Sequence, residues 1–125
     1  MHVPRPSQET AELFRSLIPE APGVTVKPMF ANVAAFVNGN MFAGTFGDVL
    51  GVRLPDDAAR EELLAVEGAG PYGPPERPMG GYVAFPEAWR GEPDRLREWI
   101  GRALELVAAM PPKQAKPRKP RTPRT

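Results

Sequence analysis

Residues 32–54 read Asn32-Val-Ala-Ala-Phe-Val-Asn-Gly-Asn-Met-Phe-Ala-Gly-Thr-Phe-Gly-Asp-Val-Leu-Gly-Val-Arg-Leu54. Asn38-Gly39 is a strong hairpin signal, because a type I′ turn needs positive φ at both central residues. Gly47-Asp48 turns the chain again, so three short apolar runs form an antiparallel meander. Two-residue turns pair Phe36 with Met41, Ala35 with Phe42, Thr45 with Leu50 and Phe42 with Arg53. Residues directly opposite share a face. One face then carries Ala34, Phe36, Met41, Ala43, Leu50, Val52 and Leu54, the natural seat for helices. The other carries Val33, Ala35, Val37, Phe42, Phe46 and Val49, relieved by Asn40 and Arg53. A solvated sheet face is normally polar. This second face is therefore expected to meet something, either later strands curling over it or another molecule. Val33, Val37, Phe42, Phe46 and Val49 are the expected protein-contact residues, with Arg53 laid on the Phe42 ring.

Outward from the meander, Val24-Thr-Val26 begins an extended run that Lys27-Pro28 sustains. Before it, Ser7 reads as the N-cap of a helix carrying Ala11, Leu13, Phe14, Leu17 and Ile18. After it, Asp56 or Asp57 caps a helix to about Val66, with Ala59, Leu63 and Val66 facing inward. Residues 67–78 are too rich in Gly and Pro for a regular element, and Met79–Phe85 reads as a strand. Pro93 suits the first turn of a closing helix. That helix carries Leu96, Trp99, Ile100, Ala103, Leu104, Val107 and Ala108 at helical spacing. The expected fold is α+β: a two-layer α/β domain with an antiparallel meander sheet and N-terminal, middle and C-terminal helices on one face.

The 125 residues suit one domain. The absence of cysteine removes disulfides, thiolate metal sites and thiol catalysis. The single histidine, His2, stands near the N-terminus, where it offers no well-placed base. No apolar run approaches a membrane span, and the N-terminus lacks a signal h-region, so a cytoplasmic domain without membrane contact is expected. Charge is segregated along the chain. Residues 1–110 hold ten basic and fifteen acidic side chains. Residues 111–125 hold Lys113, Lys116, Arg118, Lys119, Arg121 and Arg124, no acid and five prolines. This reads as a domain over 1–110 followed by a disordered basic tail. Such a tail suits nonspecific contact with phosphate backbones, without base stacking because no aromatic is interleaved.

Catalytic patterns are weak. Gly68-Ala-Gly-Pro-Tyr-Gly73 matches G-x-G-x-x-G, but a helix precedes it and Pro74-Pro75 follows, so it reads as a loop. A ligand-binding role for that loop would place its ligand against Tyr72 and Arg77. Asp56, Asp57, Glu61 and Glu62 suit helix capping and an exposed helix face better than a metal site. Ser7 and Ser16 lie outside any nucleophile elbow. Met29-Phe30, Met41-Phe42, Trp89 and Trp99 read as core at strand and helix spacing. No cofactor and no catalytic or metal residues are expected.

Lys27-Pro-Met-Phe30, then Phe36-Val-Asn-Gly-Asn-Met-Phe-Ala43, resembles the N-terminal domain of the TfoX/Sxy competence regulators. Met79-Gly-Gly-Tyr-Val-Ala-Phe-Pro-Glu-Ala-Trp89 is similar to that family's strand ending in Pro-Glu, and Leu96–Ala109 to its closing helix. Ala31 stands where the family usually has glycine. The regulators carry a second, C-terminal domain where this sequence has the basic tail. The resemblance implies the element order α-β-β-β(-β)-α-β-β-α and a non-enzymatic domain. It implies action through protein–protein contact, in competence or transcription regulation, with a partner protein or a second copy of the chain. The alternative is a nucleic-acid accessory protein using the tail.

Overall fold

The computed structural model describes residues 4–111. Helix α1 spans Gln8–Leu17 and begins where Ser7 Oγ accepts a hydrogen bond from the Thr10 amide at 3.1 Å. Four strands follow: β1 (Val24–Met29), β2 (Asn32–Val37), β3 (Asn40–Phe46) and β4 (Val49–Arg53). Asp56 caps α2 (Asp57–Leu64) by accepting from the Ala59 amide at 2.9 Å. The segment expected to be irregular contributes a two-residue strand, β5 (Gly70–Pro71), and β6 is Tyr82–Ala84, shorter than expected. A short 3-10 helix (Glu87–Gly91) that the sequence pattern did not announce leads into α3 (Pro93–Ala108), with Pro93 in its first turn.

The six strands form one sheet in the order β1-β2-β3-β4-β6-β5, with every neighbouring pair antiparallel. Helices α1 and α3 pack on the central strands and α2 on β6, forming one helical layer. The architecture is the expected α+β. Asn38 (φ 54°) and Gly39 (φ 84°) make the turn between β2 and β3, with Val37 opposite Asn40 and Phe36 opposite Met41.

One residue further on, the expected register fails. Ala35 pairs with Ala43 rather than Phe42, because β3 carries a bulge that inserts Phe42 as an extra residue. The sheet faces follow from that insertion, since a one-residue slip moves every side chain beyond it to the other face. Phe42 and Ala43 both enter the core, with 0% exposure each. Val33, Ala35 and Val37 join them beneath the helices, with Phe14, Leu17, Leu50, Val52 and Leu54. The contact face expected from Val33, Val37 and Phe42 is therefore corrected: these three are buried in the core. Arg53 does not lie on the Phe42 ring, which faces the opposite layer. The face left without helices carries Lys27, Ala34, Phe36, Met41, Gly44, Phe46, Gly51, Arg53 and Tyr82, by alternation along the observed registers.

Candidate binding surface

The helix-free face is built around Tyr72. Its ring rests on Gly51, and its hydroxyl reaches over Gly44, 2.9 Å from where a Cβ would stand. Any side chain at either glycine would collide with it. Tyr72 stacks on Tyr82 with ring centroids 5.6 Å apart and meets Phe46 edge-on at 6.4 Å. Its hydroxyl donates to the Thr45 carbonyl at 2.8 Å. The segment around Tyr72 thus covers the β3–β4 part of the face, one of the two outcomes expected for an apolar second face.

Beside this cover lies a cavity of about 430 Å³, lined by Met29, Phe30, Asn32, Met41, Thr45, Phe46, Tyr72, Pro74, Arg77 and Met79. Its volume falls in the ordinary range for ligand and side-chain recesses. Three methionines give it a soft, adaptable wall. The polar side-chain atoms of Asn32, Thr45 and Tyr72 already have partners. Thr45 Oγ1 donates to Asn32 Oδ1 at 3.1 Å, the Gly47 amide donates to the same oxygen at 2.8 Å, and Asn32 Nδ2 donates to the Pro4 carbonyl at 3.1 Å. Burial pushes the Tyr72 and Tyr82 hydroxyls above the ordinary tyrosine range. Both stay protonated near neutrality and offer no base.

Phe30 stands on the cavity rim with 91% of its surface exposed, next to Met29 at 37%. It occupies the first central position of the turn between β1 and β2, where Met29 pairs with Asn32, and its φ is +59°. That left-handed conformation belongs by preference to glycine and is unfavourable for a bulky side chain. The sequence therefore holds a phenyl ring in water on a backbone that disfavours it. The six strands contain no Asp or Glu; their charged residues are Lys27 and Arg53. Both lie on the helix-free face. Lys27 Nζ sits 4.9 Å from the Phe36 ring centroid, and Arg53 pairs in register with Tyr82.

A second cavity, about 530 Å³, lies among the N-terminus of α1, the β3–β4 turn and the 3-10 helix. Two of its charged residues, Arg90 and Asp48, form a structural clasp. Arg90 donates to Thr10 Oγ1 and to the Asp48 carbonyl, both at 2.7 Å, while Asp48 Oδ1 accepts from the Ser7 amide at 2.8 Å. The Ser7 amide, hydroxyls of Thr10 and Ser7, and the Arg90 charge hold the Asp48 carboxyl below its ordinary range.

Of the residues expected to make protein contacts, Phe46 and Arg53 lie on the helix-free face, and Val49, the first residue of β4 and the register partner of Phe46, is exposed. Lys113, Lys116, Arg118, Lys119, Arg121 and Arg124 lie outside the described residues. Asp56 caps α2, Asp57 pairs with Arg60, and Glu62 pairs with Arg102 at 3.1 Å, so three of the four acids of that cluster have structural partners. Among the described residues no group of acids or histidine is placed to hold a metal, and no helix is long and apolar enough to cross a membrane. Met29, Phe30 and Met41, read above as core, instead line the cavity; Phe42, Trp89 and Trp99 are core. Sequence reasoning missed Phe30 and Lys27 as surface features, whereas Tyr72 and Arg77, named as the contacts of a ligand held by the 67–78 loop, both line the cavity. The acid-free strands were the available signal, but it could be placed on one face only with the register known.

No curated protein matches the chain. The family model described as the TfoX N-terminal domain matches residues 12–107, which includes α2, the six strands, the cavity and most of α1 and α3. The order α-β-β-β-β-α-β-β-α agrees with the order that the motifs imply, and the chain belongs to the TfoX N-terminal domain family.

Proposed function

We propose that this domain is a non-enzymatic contact module that binds a partner protein through its helix-free sheet face, in competence or transcription regulation. The observation that supports this most is Phe30: a large apolar ring, almost wholly in water, held at positive φ on the rim of an apolar cavity. Strained, exposed aromatic positions persist where binding uses them, and buried aromatic anchors dominate interface energetics. Copurification from the native host tests the reading, with the wild-type chain, Phe30→Gly and a chain truncated after Pro111 run in parallel. A stoichiometric partner retained by the wild type and the truncated chain, and lost from Phe30→Gly, is expected. Retention by Phe30→Gly contradicts it.

The second reading rests on the six cations of residues 111–125. A nucleic-acid accessory role predicts binding that falls steeply with salt and disappears with the tail.

A further inference from the structure

We infer that the segment seated on the helix-free face is an acidic one, with a bulky apolar side chain entering the Met29–Phe30–Met79 cavity and flanking carboxylates meeting Lys27, Arg53 and Arg77. This rests on the reading of that face as a protein-contact surface and adds the partner's chemistry.

The charge layout carries it. Residues 1–110 are net negative, with fifteen acids against ten bases, yet the six strands hold no acid. One of the three cations lines the cavity, and the other two lie on the same sheet face outside its lining. Arg77 is the lining cation; Lys27 lies over the Phe36 ring, whose register partner Met41 lines the cavity, and Arg53 pairs in register with Tyr82, which stacks on Tyr72. Among the described residues, none of the three forms an ion pair with a carboxylate, while Arg60, Arg95, Arg97 and Arg102 all do.

That layout decides among occupants. A second copy docked by two-fold symmetry would set the same cationic surface against itself, and like charges across an interface are a strong repulsive element. A nucleobase in the cavity would find donors only at Arg77 and no acceptor for its own N–H groups, because the Tyr72, Thr45 and Asn32 polar atoms are already bonded to one another and to the backbone. An apolar side chain such as Leu, Met or Phe meets neither objection, and acidic neighbours answer the cations.

The test uses the full chain and a fluorescein-labelled peptide of glutamates flanking a central Leu-Phe pair, read by anisotropy. The controls replace Leu-Phe by Ala-Ala, replace the glutamates by lysines, or substitute an oligothymidylate. The basic tail contributes equally to every variant, so differences between variants report the face. The Leu-Phe acidic peptide is expected to bind at least about tenfold tighter than its Ala-Ala form. Phe30→Gly should remove that advantage. Lys27→Gln, Arg53→Gln and Arg77→Gln should each weaken binding about two- to fivefold, the range for exposed charge pairs, with unchanged melting temperatures. Equal affinity for the Ala-Ala peptide overturns the inference, as does tighter binding of the lysine peptide. An oligothymidylate that displaces the peptide and loses affinity in Phe30→Gly also overturns it and assigns the face to nucleic acid. If Phe30→Gly loses the host partner while the three charge variants bind the acidic peptide like wild type, the contact surface stands and its acidic chemistry fails.

Discussion

The ring of Tyr72 rests directly on Gly51, with no room for a side chain between them. This contact seals the β4 side of the helix-free face and leaves the cavity open on the β1–β2 side. Gly51→Val should therefore destabilise the domain by about 1–3 kcal/mol, the usual penalty of overpacking. Chemical denaturation measures it. A variant as stable as wild type would mean that the loop carrying Tyr72 is not seated there.

Phe30 and Phe42 should respond oppositely to truncation. Phe30→Gly relieves about 1–2 kcal/mol of left-handed strain and loses about 0.5–1 kcal/mol to glycine's greater freedom when unfolded. Its melting temperature should stay level or rise. Phe42→Ala empties a fully buried site and should cost about 3–5 kcal/mol. Equal losses at the two positions would show that the bulge does not turn Phe42 inward.

Gly39 has φ +84° in the hairpin between β2 and β3. Gly39→Val should cost about 1–3 kcal/mol, because a β-branched residue is strained there. Unchanged stability would contradict the type I′ turn.

The Asp48 carboxyl lies below its ordinary value, chiefly because the Ser7 amide donates to it. A depressed folded-state pKa contributes stability that is present above the unfolded carboxylate pKa and lost as pH falls through the folded one. The melting-temperature gap between wild type and Asp48→Asn should be open at neutral pH and close on acidification below the carboxylate range. A gap that persists in acid would assign the effect to geometry rather than charge.

Much of the architecture was legible in the sequence, for local reasons. Asn38-Gly39 and Gly47-Asp48 carry the backbone preferences of their turns, Ser7 and Asp56 carry capping oxygens, and α3 carries an apolar stripe at helical spacing. The β3–β4 pairing from Phe46 opposite Val49 to Ala43 opposite Val52 follows from the turn between them. The bulge was not legible. Met41-Phe42-Ala43 is apolar throughout, so nothing in its pattern marks an inserted residue, and that insertion exchanged the faces of β2. Phe30 was hidden similarly: Met29-Phe30-Ala31-Asn32 lacks the glycine that announces a turn with positive φ at its first central residue. The short strand β5 escaped because its Pro71 suits only an edge, a position that pairing alone reveals.

The placement of the contact is tested most directly by methyl NMR of the methionines, with the acidic Leu-Phe peptide titrated into the full chain. Met29, Met41 and Met79 line the cavity, whereas Met110 packs against the core from the end of α3. The account predicts that the Met29, Met41 and Met79 methyl signals shift together along one binding curve while Met110 stays still. Shifts at Met110 with the three cavity methionines unmoved would place the contact on the helical layer and contradict it.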